Sequence, residues 1–256
     1  MKINTAVVLA VALTAGAGMA VVPAMAQNSA TEAEADAVRA SKPLSAEASS
    51  DTSKETSSQP GAGIARLERF LDNNDSFSAR FEQTLYDADN APLQTSRGTM
   101  RLKRPGRFIW DYETEAGTPT SGQRLVADGE RVWMLDDELE QVTVNPIAQS
   151  MSGSPFALLM GTASLDEAFD AETLGVVDGI EWVSLTPLSE TSDFEQVYIG
   201  LNNAGLAAME LRDNFGQATQ IRFTDFDAGV SFEDELFEFK VPTGYDVIGL
   251  DEMRGQ

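Results

Sequence analysis

Between Gly98 and Tyr112 the chain reads G-T-M-R-L-K-R-P-G-R-F-I-W-D-Y, two alternating runs hinged at Pro105-Gly106. Met100, Leu102 and Arg104 fall on one face of the first run, and Phe108, Trp110 and Tyr112 on one face of the second. The pattern predicts an antiparallel hairpin whose apolar face ends in a cation, beside a strand rich in aromatics. Such a face has to be covered, either by the protein's own core or by a ligand. Arg104 has two readings at this point. It snorkels at a strand end, or its five fixed donors latch onto backbone carbonyls of something that closes over the sheet.

The remaining pattern predicts one domain over residues 64–250 built mostly of strands. Ile64, Leu67 and Leu71, with Phe70 beside them, give an amphipathic helix that stops near Asn73-Asn74-Asp75. Phe77, Ala79, Phe81 and Leu85 then alternate, and Asp87 to Pro92 turns the chain into the next strand. Arg124–Ala127 and Arg131–Leu135 flank Asp128-Gly129, a hairpin dipeptide. Glu140–Val144 follows as a strand. Ser154-Pro155 opens a short greasy helix through Met160, and Ser164 to Glu167 has capping-box spacing for another. Strands are expected at Trp182–Leu185, Phe194–Leu201, Ala207–Arg212 and Ala218–Phe226. Two more are expected at Phe237–Val241 and Pro242–Val247. Many antiparallel strands interrupted by short helices suggest a barrel or strongly curved sheet.

Residues 1–26 carry the marks of an export signal: Lys2, an apolar stretch around Val7–Leu13 and Ala24-Met25-Ala26. Residues 27–63 are Ala, Ser, Thr, Glu and Pro with almost no large apolar side chain, a composition expected to stay disordered as an acidic leader or tether. The chain has no cysteine, so an exported fold must be held by burial alone, and a lipid-modified cysteine is excluded. It also has no histidine. Without either residue, Ser-His-Asp and Cys-His nucleophile systems and ordinary zinc sites cannot be built.

The formal charge is −23, from 18 basic and 41 acidic side chains. Loss of Lys2 with the signal leaves 17 basic side chains and −24. Such a surface is repelled by nucleic acid and by anionic phospholipid, although an acidic surface also suits a salty habitat. Asp87-x-Asp89-Asn90 and Asp136-Asp137-Glu138 resemble fragments of calcium loops, but they sit at expected turns and lack the full pattern. No carboxylate pair is singled out for glycosidase chemistry. No catalytic residue, metal or cofactor is assigned.

An ordered series of motifs gives the chain its resemblance. It runs through Phe77 to Phe81-x-Gln83, Gly98, Arg104-Pro105-x-x-Phe108-x-Trp110, Val126-x-Asp128-Gly129, Trp133 and Glu140-Gln141-x-Thr143. It continues through Ser154-Pro155-Phe156-x-Leu158-Leu159, Leu185-x-Pro187, Asp213-x-x-Gly216-Gln217-x-Thr219 and Phe237-x-Phe239-x-x-Pro242-x-Gly244. From Ile64 to Val247 the sequence resembles the outer-membrane lipoprotein carrier family, LolA.

The resemblance implies an unclosed antiparallel β-barrel with a lid of short α-helices around a hydrophobic cavity. It implies a soluble periplasmic carrier, not an enzyme, expected to be a monomer. An inner-membrane ABC transporter would load it with acylated lipoproteins, and an outer-membrane receptor lipoprotein would unload it. By resemblance Arg104 contacts the lid in the closed form, at positions matching Leu71, Phe156 and Leu159. Met100, Leu102, Phe108, Trp110 and Leu158 complete the expected cavity and lid set. The other reading with this fold is a periplasmic lipid-binding sensor of envelope stress; such a protein is expected to carry a further domain, for which the residues after Val247 leave no room. Trp133 and Trp182 are expected in the core rather than the cavity.

Overall fold

Alternation lays down the sheet. In β1 (Ser76–Tyr86) every second side chain is buried: Phe77, Ala79, Phe81, Gln83 and Leu85. It pairs antiparallel with β2 (Pro92–Lys103), setting Ala79 opposite Met100 and Phe77 opposite Leu102. The chain turns through Arg104, Pro105 and Gly106 into β3 (Arg107–Tyr112), where Trp110 meets Met100 and Phe108 meets Leu102. These positions are those of a computed structural model that describes residues 61–113, 123–151 and 154–249. The expected export signal and most of the expected leader lie outside the described residues.

Strands β4 (Gln123–Asp128), β5 (Arg131–Asp136) and β6 (Gln141–Pro146) continue the meander, and Gly129 takes the positive φ of +101° that the β4–β5 turn requires. The second half adds β7 (Phe169–Val177), β8 (Ile180–Pro187), β9 (Phe194–Asn202), β10 (Gly205–Asp213) and β11 (Ala218–Ala228). β11 returns to pair with β1. With β12 (Asp246–Ile248), the order across the twelve-stranded sheet is β12-β6-β5-β4-β3-β2-β1-β11-β10-β9-β8-β7. The sheet does not close: β7 and β12 are its edges.

Among the described residues four helices complete the fold: α1 (Ala62–Asn73), α2 (Ile147–Ser150), α3 (Pro155–Leu159) and α4 (Leu165–Ala168). The last three fall between β6 and β7, so they occupy the connection between the two halves of the open sheet. The Ser154 side chain caps α3 by accepting from the Phe156 N–H at 3.3 Å. At α4 the capping box is incomplete. Ser164 Oγ donates to Glu167 Oε2 at 3.1 Å and accepts no backbone N–H.

The sheet has apolar packing on both faces. One face, with α1 and α3 against it, carries the main core: Phe77, Phe81, Met100, Leu102, Phe108, Trp110, Leu125, Val183, Leu185, Val197 and Ile199 among others. On the opposite face Ile109, Val126, Trp133 and Val144 line up across β3 to β6. Phe237, 1% exposed, covers that row from a 3-10 turn at Asp234–Phe237, and Phe239 stacks on Trp133 with ring centres 5.2 Å apart.

This arrangement corrects several expectations. Phe237–Val241 and most of Pro242–Val247 form a strap across the outer face, not two strands, and only Asp246–Ile248 pairs, parallel to β6. β7 and α2 were not expected. The helix begins at Ala62, so the expected leader boundary at Gly63 cuts into it. A Cβ on Gly63 would come within 2.9 Å of Thr173, which places this end of α1 tight against β7. Trp133 and Trp182 are buried in the core as expected, Trp133 in the outer cluster and Trp182 over Gly200 on β9.

Asp128 organises the β4–β5 turn. It accepts from the Trp133 indole N–H at 2.8 Å and from the amides of Glu130 and Arg131 at 2.9 and 2.8 Å. Burial pushes its pKa up, but those three bonds outweigh burial and hold it below the usual carboxylate range. A folded-state value below the unfolded one stabilises the fold above the unfolded pKa, and that contribution disappears as pH falls through the folded value. Asp128→Asn is therefore expected to lower stability at pH 7, with the difference from the parent shrinking toward pH 3 in urea titrations.

Gly98 faces Phe81 across the β1–β2 pair, and a Cβ there would lie 1.9 Å from the Asp111 carbonyl oxygen and 2.7 Å from the Phe81 ring. Gly98→Ala is expected to cost about 1–3 kcal/mol by overpacking, read from the urea midpoint.

Candidate functional site

The turn between β2 and β3 is where the concave face meets the two helices that cover it. The Arg104 side chain leaves this turn half-buried and spreads its donors over three main-chain carbonyls. Nε donates to Leu159 O at 2.7 Å and Nη2 to Leu158 O at 3.3 Å, both at the end of α3. Nη1 donates to Leu71 O near the end of α1. One guanidinium thus ties together two helices that are 55 and 33 residues away in sequence. The Leu71 and Leu159 carbonyls are among those a helix C-terminus leaves without an internal partner, while Leu158 O also accepts the Gly161 N–H at 3.0 Å.

Backbone bonds reinforce the same corner. The Gly106 N–H donates to Met160 O at 3.0 Å, and the Arg104 N–H donates to Asp75 O at 2.7 Å. Burial lowers the Arg104 pKa, opposed by the nearby Asp75 and Asp72 carboxylates. No carboxylate is in ion-pair contact with Arg104 among the described residues. The cation is therefore held by neutral oxygens.

Beneath this corner the concave face is filled by side chains. Leu67 and Phe70 enter from α1, and Phe156, Leu158 and Leu159 from α3. Phe156 meets the Trp110 ring edge-on, with centres 5.4 Å apart at 88°. Trp110 also packs on Phe81, at 4.4 Å. Next to it, the Tyr112 hydroxyl donates to Gln83 Oε1 at 3.3 Å, and burial pushes the Tyr112 pKa well above its ordinary value.

The residues selected from sequence fall in one region. Met100, Leu102, Phe108 and Trp110 are on the concave face, all 3% exposed or less. Phe156, Leu158 and Leu159 stand on α3, and Leu71 is partly buried on α1 against the same core. Leu71 and Leu159 meet Arg104 through their carbonyls; Phe156 packs on Trp110. Leu158, selected for its side chain, also lends its carbonyl to Arg104.

Sequence reasoning missed the other end of α1. The Ile64 N–H donates to Thr173 Oγ1 at 3.2 Å, and Arg66 donates to Glu181 at 3.3 Å and to Asn202 O at 2.6 Å. Helix α1 is thus pinned to β7, β8 and the β9 end at its start and to Arg104 at its finish. The cleft between α2, α3 and α4 was missed as well. Its volume is about 470 Å³, and Ile147, Met151, Ala157, Ala163 and Ala168 line it with Thr162 and Glu167. The carboxylates of the calcium-like fragments serve turns: Asp87 accepts from the amides of Asp89 and Ala91, and Asp136 from those of Glu138 and Leu139.

The chain is similar to proteins of known family. The family described as outer membrane lipoprotein carrier protein LolA matches residues 72–240. An outer-membrane lipoprotein carrier protein of Methylococcus capsulatus is 40% identical over 72% of this chain and 86% of its own length. One of Nitrosospira multiformis is 39% identical over 75% of this chain and 91% of its own. Among solved structures, a LolA superfamily protein from Nitrosomonas europaea is 14% identical, covers 69% of this chain and 97% of its own, and superposes with a TM-score of 0.41. No described helix is long and apolar enough to cross a membrane. With its matched region spanning β1 to the outer strap, the chain belongs to the LolA family of outer-membrane lipoprotein carriers.

Proposed function

We propose that this protein is a passive periplasmic carrier that shields the acyl chains of lipoproteins between the concave face and α1 and α3. Residues 1–26 direct its export, and the domain from α1 to about residue 250 does the carrying, as a monomer. An inner-membrane ABC transporter supplies the cargo, and an outer-membrane receptor lipoprotein accepts it. The single observation that carries this reading is the Arg104 fork, which fastens both covering helices over an apolar face through carbonyl bonds alone. Family membership supplies the class of cargo.

The energetics fit a carrier that does no work of its own. Burying hydrocarbon is worth about 0.8 kcal/mol per CH₂, so a chain of about fifteen methylenes gains on the order of 12 kcal/mol relative to water. That is an upper figure, because the empty closed form buries the same wall. Extraction from a bilayer gains nothing comparable, since lipid tails are already apolar. Loading has to be driven, and an ATP-consuming donor drives it.

In this scheme the site residues have two roles. Met100, Leu102, Phe108 and Trp110 form the wall that acyl chain covers, while Leu71, Phe156, Leu158 and Leu159 belong to the cover that gives way. Arg104 stabilises the closed empty form and so favours unloading.

The direct test incubates the mature protein with inner-membrane vesicles that hold acylated lipoproteins, the transporter and ATP. Lipoprotein is expected to appear in the soluble fraction bound to the protein, only with ATP. Absence of release with a verified transporter would instead favour a lipid-binding sensor. Arg104→Leu is expected to load but to transfer poorly to the receptor, and unchanged transfer would remove the latch role. Arg104→Lys keeps the charge but loses the fork. Hydrogen exchange at the Gly106 amide, which bonds to Met160 O, is expected to speed up by about tenfold in that variant.

A further inference from the structure

The centre of the concave wall holds a polar atom that the closed fold does not use. Trp110 is 0% exposed, and its indole N–H has no hydrogen-bond partner among the described residues. Its polar neighbour is the Tyr112 hydroxyl, near enough for a weak hydrogen-bonding influence that lowers the Tyr112 pKa, but the pair falls short of full hydrogen-bond geometry and that hydroxyl already donates to Gln83. Buried donors are nearly always paired, because an unpaired one forfeits its bond to water without replacement. Phenylalanine would give the same wall an aromatic ring without that cost.

The surroundings show when the atom could be used. Phe156 of α3 stands edge-on against the Trp110 ring, and Arg104 holds the end of α3. Movement of α3 away from the wall uncovers the indole. Tyr112 and Gln83, both buried, sit beside it as a bonded pair. The wall there is a small polar island set in hydrocarbon. An acyl tail offers nothing to such an island along its length. The acceptors an acyl cargo carries are the carbonyl oxygens of its ester or amide linkages, where each tail joins its head.

We propose that the Trp110 indole N–H donates to an acyl carbonyl oxygen of bound cargo, so that the site reads the acyl linkage as well as the hydrocarbon. This rests on the carrier reading above. It sets the depth to which a tail enters, since the carbonyl has to stop beside Trp110 while the methylenes run on along the wall. In a site without water, one such bond is not weakened by competition from solvent.

The test uses the mature protein and an S-diacylglyceryl cysteine lipopeptide, compared with its dialkyl ether counterpart, which lacks the ester carbonyls. The parent is expected to bind the ester form about five- to tenfold more tightly than the ether form, the value of one net hydrogen bond. In Trp110→Phe the ester-to-ether ratio is expected to fall to about one, whatever the smaller ring does to the affinity for both forms together. An unchanged ester-to-ether ratio in Trp110→Phe overturns the proposal and leaves the carrier reading standing. If neither form binds either protein, the carrier reading falls and the proposal with it.

A measurement on the unaltered protein covers the case in which Trp110→Phe does not fold. The chain has three tryptophans, and each gives one indole N–H signal in ¹⁵N-labelled protein. Trp133→Phe and Trp182→Phe identify the Trp110 signal by elimination. It is expected to move downfield with the ester lipopeptide and not with the ether. The Trp133 signal, already bonded to Asp128, stays in place as an internal control. A Trp110 signal that responds equally to both ligands overturns the proposal. Ester and ether phosphatidylglycerol run in parallel then identify the source of the carbonyl. A preference confined to the lipopeptide points to the lipoprotein head, and one shared by both lipids to acyl linkages in general.

Discussion

A half-buried guanidinium needs acceptors, and the choice of acceptor decides how readily the contact can be broken. Had Arg104 met a buried carboxylate, parting them would leave two uncompensated charges in a poorly solvated corner, at a cost of several kcal/mol. It meets the carbonyls of Leu71, Leu158 and Leu159 instead. When such bonds break, the three oxygens that are released are neutral and water satisfies them. The charge stays on one side chain at the rim of the sheet, where solvent can reach it. The contact is strong enough to hold two helix ends and mild enough to release them.

The rest of the sheet is consistent with the proposed reversibility. Its outer face across β3 to β6 is covered by the strap bearing Phe237 and Phe239, and Trp133 is fixed there by stacking on Phe239 and by its bond to Asp128. Arg101 on β2 and Arg124 on β4 bracket the buried Asp111 of β3 between them. That half of the sheet therefore stays firm whatever happens on the concave side. Helix α1 is pinned at its start by Arg66 and Thr173 but held at its finish through Arg104. On the proposed carrier reading, a helix fixed at one end and latched at the other can swing without detaching.

How much of this could be read from sequence depended on how many signals agreed at each place. The β1 to β6 strands were legible because alternation, turn residues and the Asp128-Gly129 dipeptide point the same way. β7 was not, because its inward positions are Phe169, Ala171 and Thr173, its outward ones include Leu174 and Val176, and a bulge near Gly175 breaks the phase. The strap misled for the opposite reason. Phe237 and Phe239 alternate like a strand, but they face a second apolar surface whose existence shows only in the pairing of Ile109, Val126, Trp133 and Val144. The two readings of Arg104 differed in what lay beyond the strand end, and no local pattern could supply helices 33 and 55 residues away. The unpaired indole of Trp110 was invisible for a related reason: sequence shows a donor but not whether an acceptor lies opposite.

On the proposed carrier reading, the protein competes with its own cover. In the closed form Phe156, Leu158, Leu159, Leu67 and Phe70 occupy the wall that acyl chain would occupy. Cargo gains only the difference between its hydrocarbon and theirs, plus the exposure or reburial of the helices it displaces. The twelve-kilocalorie scale of chain burial, about 0.8 kcal/mol per CH₂, is therefore reduced to a modest net affinity, as the proposed carrier role requires. A carrier that held its cargo with the full transfer energy would never release it. On that reading the self-filled core, the Arg104 carbonyl bonds and the firm outer face serve one requirement: a closed empty state close enough in free energy to the loaded one that cargo can both enter and leave.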